Sequence, residues 1–460
     1  MYILISLISL AISYVLFRRV AGSLALTKLN LVSWFFYYQL ISQSFIASIL
    51  VVNGWDNHYA INRIGEDARF YGWLAVQYTM IALPLGMLGA VYLNGLNSNR
   101  RLFHSYINKP VDVALSLKDS FIRYPLYALS VVAVFSIIYT FAMLKTNPLF
   151  AALSGFDALS LAGLRQETHR EFPGNVYIRN IFAIGLTPIL AYISFAYWRQ
   201  TKNKTDFIWF FTMFVSSFFI LTYDLSKAPF VIFVLGFLFL LVLINGGVSK
   251  KIFYAFGLVA FVLILSAYFL IMDVVDPLAL FSYNSGIGGR ILLSQAAGTY
   301  FAFEHFPSSH DFIGFASLSN FFNNIFGLEA SDRAARILMT IFNPKAVEAG
   351  LAGVMNSLFI AEAWANFGLF GVIIAPLYVG FIIQVIFMFF LRSRKTPLML
   401  GLLAYLSYSF PVTGGFNDFF YNAGLMIVFF IFITVYIVGL LLKQSKRRCF
   451  ENHLPSPLTP

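Results

Sequence analysis

The densest chemistry in this chain is the stretch Leu164 to Gly174, LRQETHREFPG, where Arg165, Glu167, His169, Arg170 and Glu171 crowd into seven positions. On a helix, Arg165 and His169 stand at i and i+4 on one face, with Gln166 and Arg170 on the adjoining stripe. Two permanent cations beside an imidazole that titrates near neutrality are enough to bind a phosphate and to move a proton. Pro173-Gly174 would stop such a helix. The plainer alternative for His169 is a solvated loop histidine.

Further along, Ser285-Gly-Ile-Gly-Gly-Arg290 offers glycines whose backbone N–H groups can approach an anion, with an arginine beside them. No Lys-Ser/Thr follows as in a phosphate-binding loop, so a flexible turn is the competing reading. Glu362, in Ala361-Glu-Ala-Trp-Ala-Asn-Phe-Gly368, is an ionisable residue at the entrance of an apolar segment, where burial would suit it to act as a general base. Glu304-His305 and His310-Asp311 resemble metal ligands by residue type alone; lacking His-Glu-x-x-His spacing, they read as a surface turn, and no metal or other cofactor is expected. Asp224 and Lys227 are expected to pair locally across the turn Thr222 to Pro229.

These residues need a scaffold, and the composition says which kind. The chain has 460 residues, 59% hydrophobic and 11% charged, against roughly 25% charged in soluble domains. Apolar windows long enough to cross a bilayer recur throughout. They fall near 1–17, 30–52, 71–94, 124–143, 178–198, 207–222, 229–245, 252–272, 357–390, 398–413 and 423–442. The fold expected is therefore an all-α polytopic membrane protein of about eleven transmembrane helices, one integral membrane domain over 1–460. Within the 357–390 window, a re-entrant or interfacial piece is expected before the span proper. The opening apolar run is followed, not preceded, by Arg18-Arg19, the reverse of a secretory signal, and reads as a retained span. The lone Cys449 allows neither a disulfide framework nor a thiolate metal site.

Alternating the loops places 20 of the 31 Lys and Arg residues on one side, which the positive-inside rule makes cytoplasmic. The N-terminus is then outside, the C-terminus inside, and 144–177 and 273–356 are two large external loops. Loops of that length are usually either functional or disordered, and their aromatic content favours folding against the membrane surface over floating free. The net charge of +11 reflects this asymmetry and contact with membrane lipids, so no nucleic-acid role follows from it. Outside, the cations are chiefly arginine: Arg63, Arg69, Arg165, Arg170, Arg179, Arg290, Arg333 and Arg336 against Lys145, Lys227 and Lys345. Guanidinium forks suit phosphate and pyrophosphate oxygens, although sixteen external acids are enough to pair them in surface salt bridges. External aromatics such as Trp55, Tyr59, Tyr177, Tyr283, Tyr300 and Tyr421 can stack on sugars or anchor at the interface.

Leu164-Arg165 with Arg170 and Pro173-Gly-Asn175, the Ser226-Lys-Ala-Pro229 hairpin, and Gly289-Arg290 with Gln295 fall in a telling order. Phe312-Ile-Gly314, the turn from Asn343-Pro344 to Gly353, and Ala361 to Gly368 leading into Gly371 continue it. In that order they resemble the O-antigen polymerases, the oligosaccharide repeat-unit polymerases of Gram-negative bacteria. The resemblance implies a metal-independent glycosyltransferase at the periplasmic face of the inner membrane, acting in lipopolysaccharide biosynthesis. It would move a growing glycan from undecaprenyl pyrophosphate onto a new lipid-linked repeat unit. Arg165, Arg170 and Arg290 match the family's substrate-binding loop arginines, and a flippase and a chain-length regulator are the implied protein partners. Arginine cannot serve as base, so Glu362, His169 or another external acid is expected to take the proton, with Glu362 preferred. The alternatives are an O-antigen ligase, which differs in its acceptor, and a lipid-linked oligosaccharide flippase, which would need charges lining mid-membrane helices.

Overall fold

The computed structural model describes residues 1–113, 121–156, 158–170, 172–271, 281–284, 286–350, 352–410 and 412–452; some helical side chains, those of His169, Arg170 and Lys227 included, lie outside the description. Among the described residues all regular structure is helical. The long helices are α1 Tyr2–Val20, α2 Leu31–Val52, α3 Glu66–Leu93, α4 Arg123–Met143, α5 Ile178–Thr201, α6 Lys204–Thr222, α7 Lys227–Asn245, α8 Lys250–Ile271, α9 Ile360–Arg392, α10 Pro397–Ser409 and α11 Ala423–Asn452. Each expected apolar window falls on one of them. Nine apolar stretches among the described residues are long enough to cross a membrane: those of α1 to α7, α9, and Phe416–Leu441, which holds most of α11. The shorter α10 has 13 residues.

The packing of α1 is inverted relative to a soluble amphipathic helix. Ser6, Ser9 and Ser13 are buried, whereas Leu4, Leu7, Ile8 and Val15 are exposed. The inward serines make the contacts: Trp73 Nε1 donates to Ser6 Oγ at 3.0 Å, and Ser9 Oγ donates to Gln77 Oε1, whose amide in turn donates to Ser48 Oγ at 3.0 Å. Where lipid is as apolar as leucine, helices associate through small residues and polar bonds rather than through hydrophobic burial. The pair α3 and α9 follows the same rule more tightly. A Cβ on Gly86 would lie 2.0 Å from Leu377 O, and one on Gly380 would lie 2.0 Å from Leu83 O, so the two backbones touch only because neither position has a side chain.

In α9, Gly368 takes φ 57° and ψ −139° and breaks the helix in two. The preceding piece, 360–367, is largely buried; the exposed Leu369 and Phe370 begin the lipid-facing stretch. The break falls within the 357–390 window. Phe312 packs against Gly368, where a Cβ would approach its ring to 2.9 Å.

The long connections form a second body with its own apolar core, built from Ile61, Ile64, Leu293, Tyr300, Phe301, Phe306, Leu338 and Met355. Backbone bonds stitch it together: Gly298 N–H to Asn356 O at 3.1 Å, Met355 N–H to Ala335 O at 2.9 Å, and Ile313 N–H to Ala365 O at 2.9 Å. Within 273–356 the described helices are Gly286–Leu292, Ala297–His305, Asn320–Phe326, Ala334–Phe342 and Pro344–Glu348. Asn343 caps the last of these, with Pro344 in its first turn, where a missing N–H costs nothing. The 144–177 connection supplies Pro148–Leu153 and Ala158–Arg170, which share a small core of Ala151, Leu161 and Leu225 with the turn after α6.

Candidate functional site

Helix Ala158–Arg170 forms where the sequence requires it, and ends before Pro173-Gly174. Its Arg165 reaches back to the turn between α6 and α7, where Nε donates to Asp224 O at 3.1 Å. Asp224 shapes that turn itself: its carboxylate accepts from Ser226 N–H at 3.0 Å and Ser226 Oγ at 2.8 Å. The expected pairing of Asp224 with the Lys227 side chain lies outside the described residues, as do the side chains of His169 and Arg170.

On the opposite wall stands Arg290, in the short helix Gly286–Leu292. The glycines before it serve packing, not an anion cradle. A Cβ on Gly288 would lie 2.5 Å from Ser282 O and one on Gly289 would lie 2.4 Å from the Asn284 carbonyl carbon, so 281–284 folds flat against the helix. Arg290 is exposed, and among the described residues its guanidinium meets no carboxylate.

Between these walls lies a cavity of about 650 Å³, lined by His58, Tyr59, Arg165, Asp224, Ser226, Arg290, Ser294, Gln295, Met339, Phe342 and the 353–356 strand of backbone. That volume suits a ligand of several rings or phosphates. Two arginines, 125 positions apart in the chain (290 − 165), thus face one polar space whose only carboxylate among the described residues is Asp224.

His58 was not expected here. It is buried, its Nε2 lies 3.0 Å from Ser294 Oγ, and Ala60 N–H approaches Nδ1 at 3.4 Å. That pattern assigns the ring proton to Nε2, donating to Ser294 and leaving the serine O–H free for the cavity. Burial pushes the His58 pKa below its ordinary value of 6.5, with the Asp56 carboxylate opposing, so the ring is neutral near pH 7. A lone histidine beside a lone acid in Trp55-Asp-Asn-His-Tyr59 was the available signal.

Glu362 is placed elsewhere. It is 3% exposed, and Arg333 grips it through Nε to Oε1 at 2.7 Å and Nη2 to Oε2 at 2.9 Å, while Asn417 N–H donates to Oε2 at 2.8 Å. The same guanidinium holds Asp418 at 3.0 and 3.2 Å. Glu362 does not line the cavity, and its lone pairs are committed to tying the loop body to α9 and the 416–419 turn. The structure gives it the work of an ion-pair anchor in place of the base expected from sequence.

Of the other arginines expected outside, those with described side chains are likewise engaged. Arg69 binds Asp56 at 2.8 Å and the carbonyls of Val51, Ile61 and Ile64. Arg63 donates to Phe342 O, Arg336 to Ala352 and Gly353 O, and Arg179, buried, to Thr168 O. Of the aromatics, Tyr59 reaches the cavity, but Tyr300 is fully buried against Gly72 and cannot stack on a ligand. His305 and His310 are held locally by Ser309 and the Asp311 carbonyl in the expected turn. No family model, curated protein or solved structure matches the chain.

Proposed function

We propose that this chain is a membrane glycosyltransferase of the O-antigen polymerase kind, moving a glycan from undecaprenyl pyrophosphate onto a lipid-linked repeat unit at the periplasmic face of the bacterial inner membrane. In this reading all eleven helices cross the bilayer, with the N-terminus outside and the C-terminus inside, so that the cavity opens to the periplasm. The observation that carries the reading is the meeting of Arg165 and Arg290 at one polar cavity, neither neutralised by a carboxylate among the described residues.

The chemistry asks for little more. The acceptor sugar hydroxyl attacks the anomeric carbon, the bond from that carbon to the pyrophosphate oxygen breaks, and the departing pyrophosphate takes the electron pair. Guanidinium groups already aimed at that position stabilise the developing charge by several kcal/mol without reorganising. The hydroxyl proton goes to Asp224, the one carboxylate on the wall among the described residues. The His58–Ser294 pair presents a hydroxyl donor to the bound sugar. Tyr59 offers a ring face for stacking. The scheme calls on no cofactor.

The test is a gel of lipopolysaccharide from a strain lacking only this gene. Lipid A core bearing a single repeat unit is the expected result. Bare core with polymer retained on the carrier would replace polymerisation by ligation, and repeat units left unflipped on the cytoplasmic side would replace it by transport.

A further inference from the structure

At the other end of α9, away from the cavity just described, two hollows adjoin. One, of about 600 Å³, is bounded by 109–113 and by the connector from α9 to α10, including Arg392, Ser393, Arg394 and Lys395. The other, of about 410 Å³, runs along α9 past Val385, Met388 and Phe389 and ends at Asn94, Arg392 and Ser393. Arg392 and Ser393 belong to both, so the apolar groove leads into the basic hollow.

The connector is held in place by a buried cation. Lys395 is 3% exposed, and its Nζ donates to Ile107 O at 2.8 Å and Lys109 O at 2.7 Å. It thereby closes the C-terminal end of the short helix Arg100–Asn108, where a positive charge is favoured. Asp112 N–H returns a bond to Lys395 O at 2.8 Å. Burial lowers the Lys395 pKa to about 8, which leaves it mostly charged at neutral pH. Arg392, Arg394 and Lys109 stand exposed around it, and among the described residues Asp112 is the only acid in the hollow. Four cations against one carboxylate exceed what holding the connector needs. Arg392 is oriented by Asn94 Oδ1, which its Nη1 meets at 2.6 Å, and its remaining N–H groups make no hydrogen bond among the described residues and face the seam between groove and hollow.

We propose that this seam is a binding site for an anionic bilayer phospholipid, with its phosphate on Arg392, Arg394 and Lys109 and one acyl chain in the groove past Val385, Met388 and Phe389. Charge complementarity selects the headgroup, and the apolar groove at lipid depth selects a lipid over a soluble anion. Basic hollows between transmembrane helices capture anionic headgroups in this way. The occupant here is a structural lipid of the surrounding leaflet, and the assignment stands whatever the cavity at the far end does.

The experiment measures binding of phosphatidylglycerol, phosphatidylcholine and inorganic phosphate to the purified full-length chain in neutral detergent, read as lipid adducts by native mass spectrometry and as a rise in Tm. Phosphatidylglycerol is expected to bind and stabilise, and the other two are not. Arg394→Gln, whose exposed guanidinium makes no hydrogen bond among the described residues, is expected to weaken binding about fivefold, with a similar further loss on adding Arg392→Gln. Val385→Trp, which fills the groove, should weaken it without touching a charge. Equal binding of phosphatidylcholine, full binding by Arg394→Gln and Arg392→Gln together, or unchanged binding by Val385→Trp would each overturn the proposal. Competition by inorganic phosphate at equal concentration would make the hollow a free-anion site and overturn the choice of a lipid.

Discussion

Two arginine settings in the same loop body show what a guanidinium is for. Arg333 sits between Glu362 and Asp418 and directs four N–H bonds at their carboxylates. Burial works against its charge, and the two acids more than restore it, holding its pKa above the ordinary value. A Cβ on Gly415 would lie 1.5 Å from its Nη2, so the guanidinium fills the space beside that glycine. Arg290 is the reverse, exposed at a cavity and bonded to no protein group among the described residues. Arg165 lies between the two, half-buried and steadied by a single carbonyl. A closed pair stabilises the protein, and an open cation awaits charge from outside.

Substitution should separate these roles cleanly. Arg290→Ala and Arg165→Ala are expected to lower polymer formation about 100- to 1000-fold, the cost of one preorganised donor to a developing anion. Stability should move by only about 0.5 kcal/mol for Arg290, an exposed residue without a hydrogen-bond partner among the described residues. Glycan ladders from complemented deletion strains, set beside Tm values of the purified variants, measure both. Normal ladders in both alanine variants would end the proposal, and a large fall in Tm for Arg290→Ala would erase the distinction from Arg333.

Arg333→Ala should do the opposite. It strands Glu362, a buried carboxylate, at a cost of about 3 kcal/mol, seen as a lower Tm in detergent. Activity per folded molecule should persist, because neither residue lines the cavity. Adding Glu362→Gln to Arg333→Ala removes the stranded charge and should recover part of the loss. A catalytic Glu362 would instead make Glu362→Gln inactive at full stability.

Arg290→Lys sharpens the comparison within the open setting. Lysine keeps the charge but loses the planar fork, so activity about tenfold below the parent is expected, consistent with one lost charge-assisted bond. Full activity would mean that the cavity reads charge alone.

The sequence made the scaffold legible because a bilayer imposes a long, one-signed pattern. All eleven windows fall on helices, and the break at Gly368 falls within the one window that was expected to be composite. The site was legible only in part. Arg165 and Arg290 were identifiable as arginines expected outside the membrane, but so were Arg63, Arg69 and Arg333, whose partners are 279, 13 and 29 residues distant in the chain. Whether a guanidinium is free depends on which carbonyls and carboxylates the loops bring to it. That is decided by packing of the second core, a tertiary matter without periodicity to betray it. Glu362 misled for the same reason: an acid at a span entrance signals either a base or an ion pair, and only the position of Arg333 distinguishes them. His58 and Asp224 were hidden by their surroundings, one in an aromatic loop and the other in a turn where a local pairing sufficed to explain it.

The smallest effect concerns His58, on the cavity wall between the two settings. Its folded pKa is depressed by burial. Neutral in the native state, the ring binds a proton more readily when the chain unfolds. The stability it contributes is therefore fully present above its unfolded value of 6.5 and is lost as pH falls through the lower folded value. Tm should decline over that acidic range in the parent, and part of the decline should be missing from His58→Asn. His305, also depressed by burial with Glu304 opposing, titrates in the same window, so the difference between parent and variant, not the parent curve alone, isolates His58. A variant curve parallel to the parent throughout would mean that the ring protonates as easily folded as unfolded, and the Nε2–H to Ser294 assignment would fall with it.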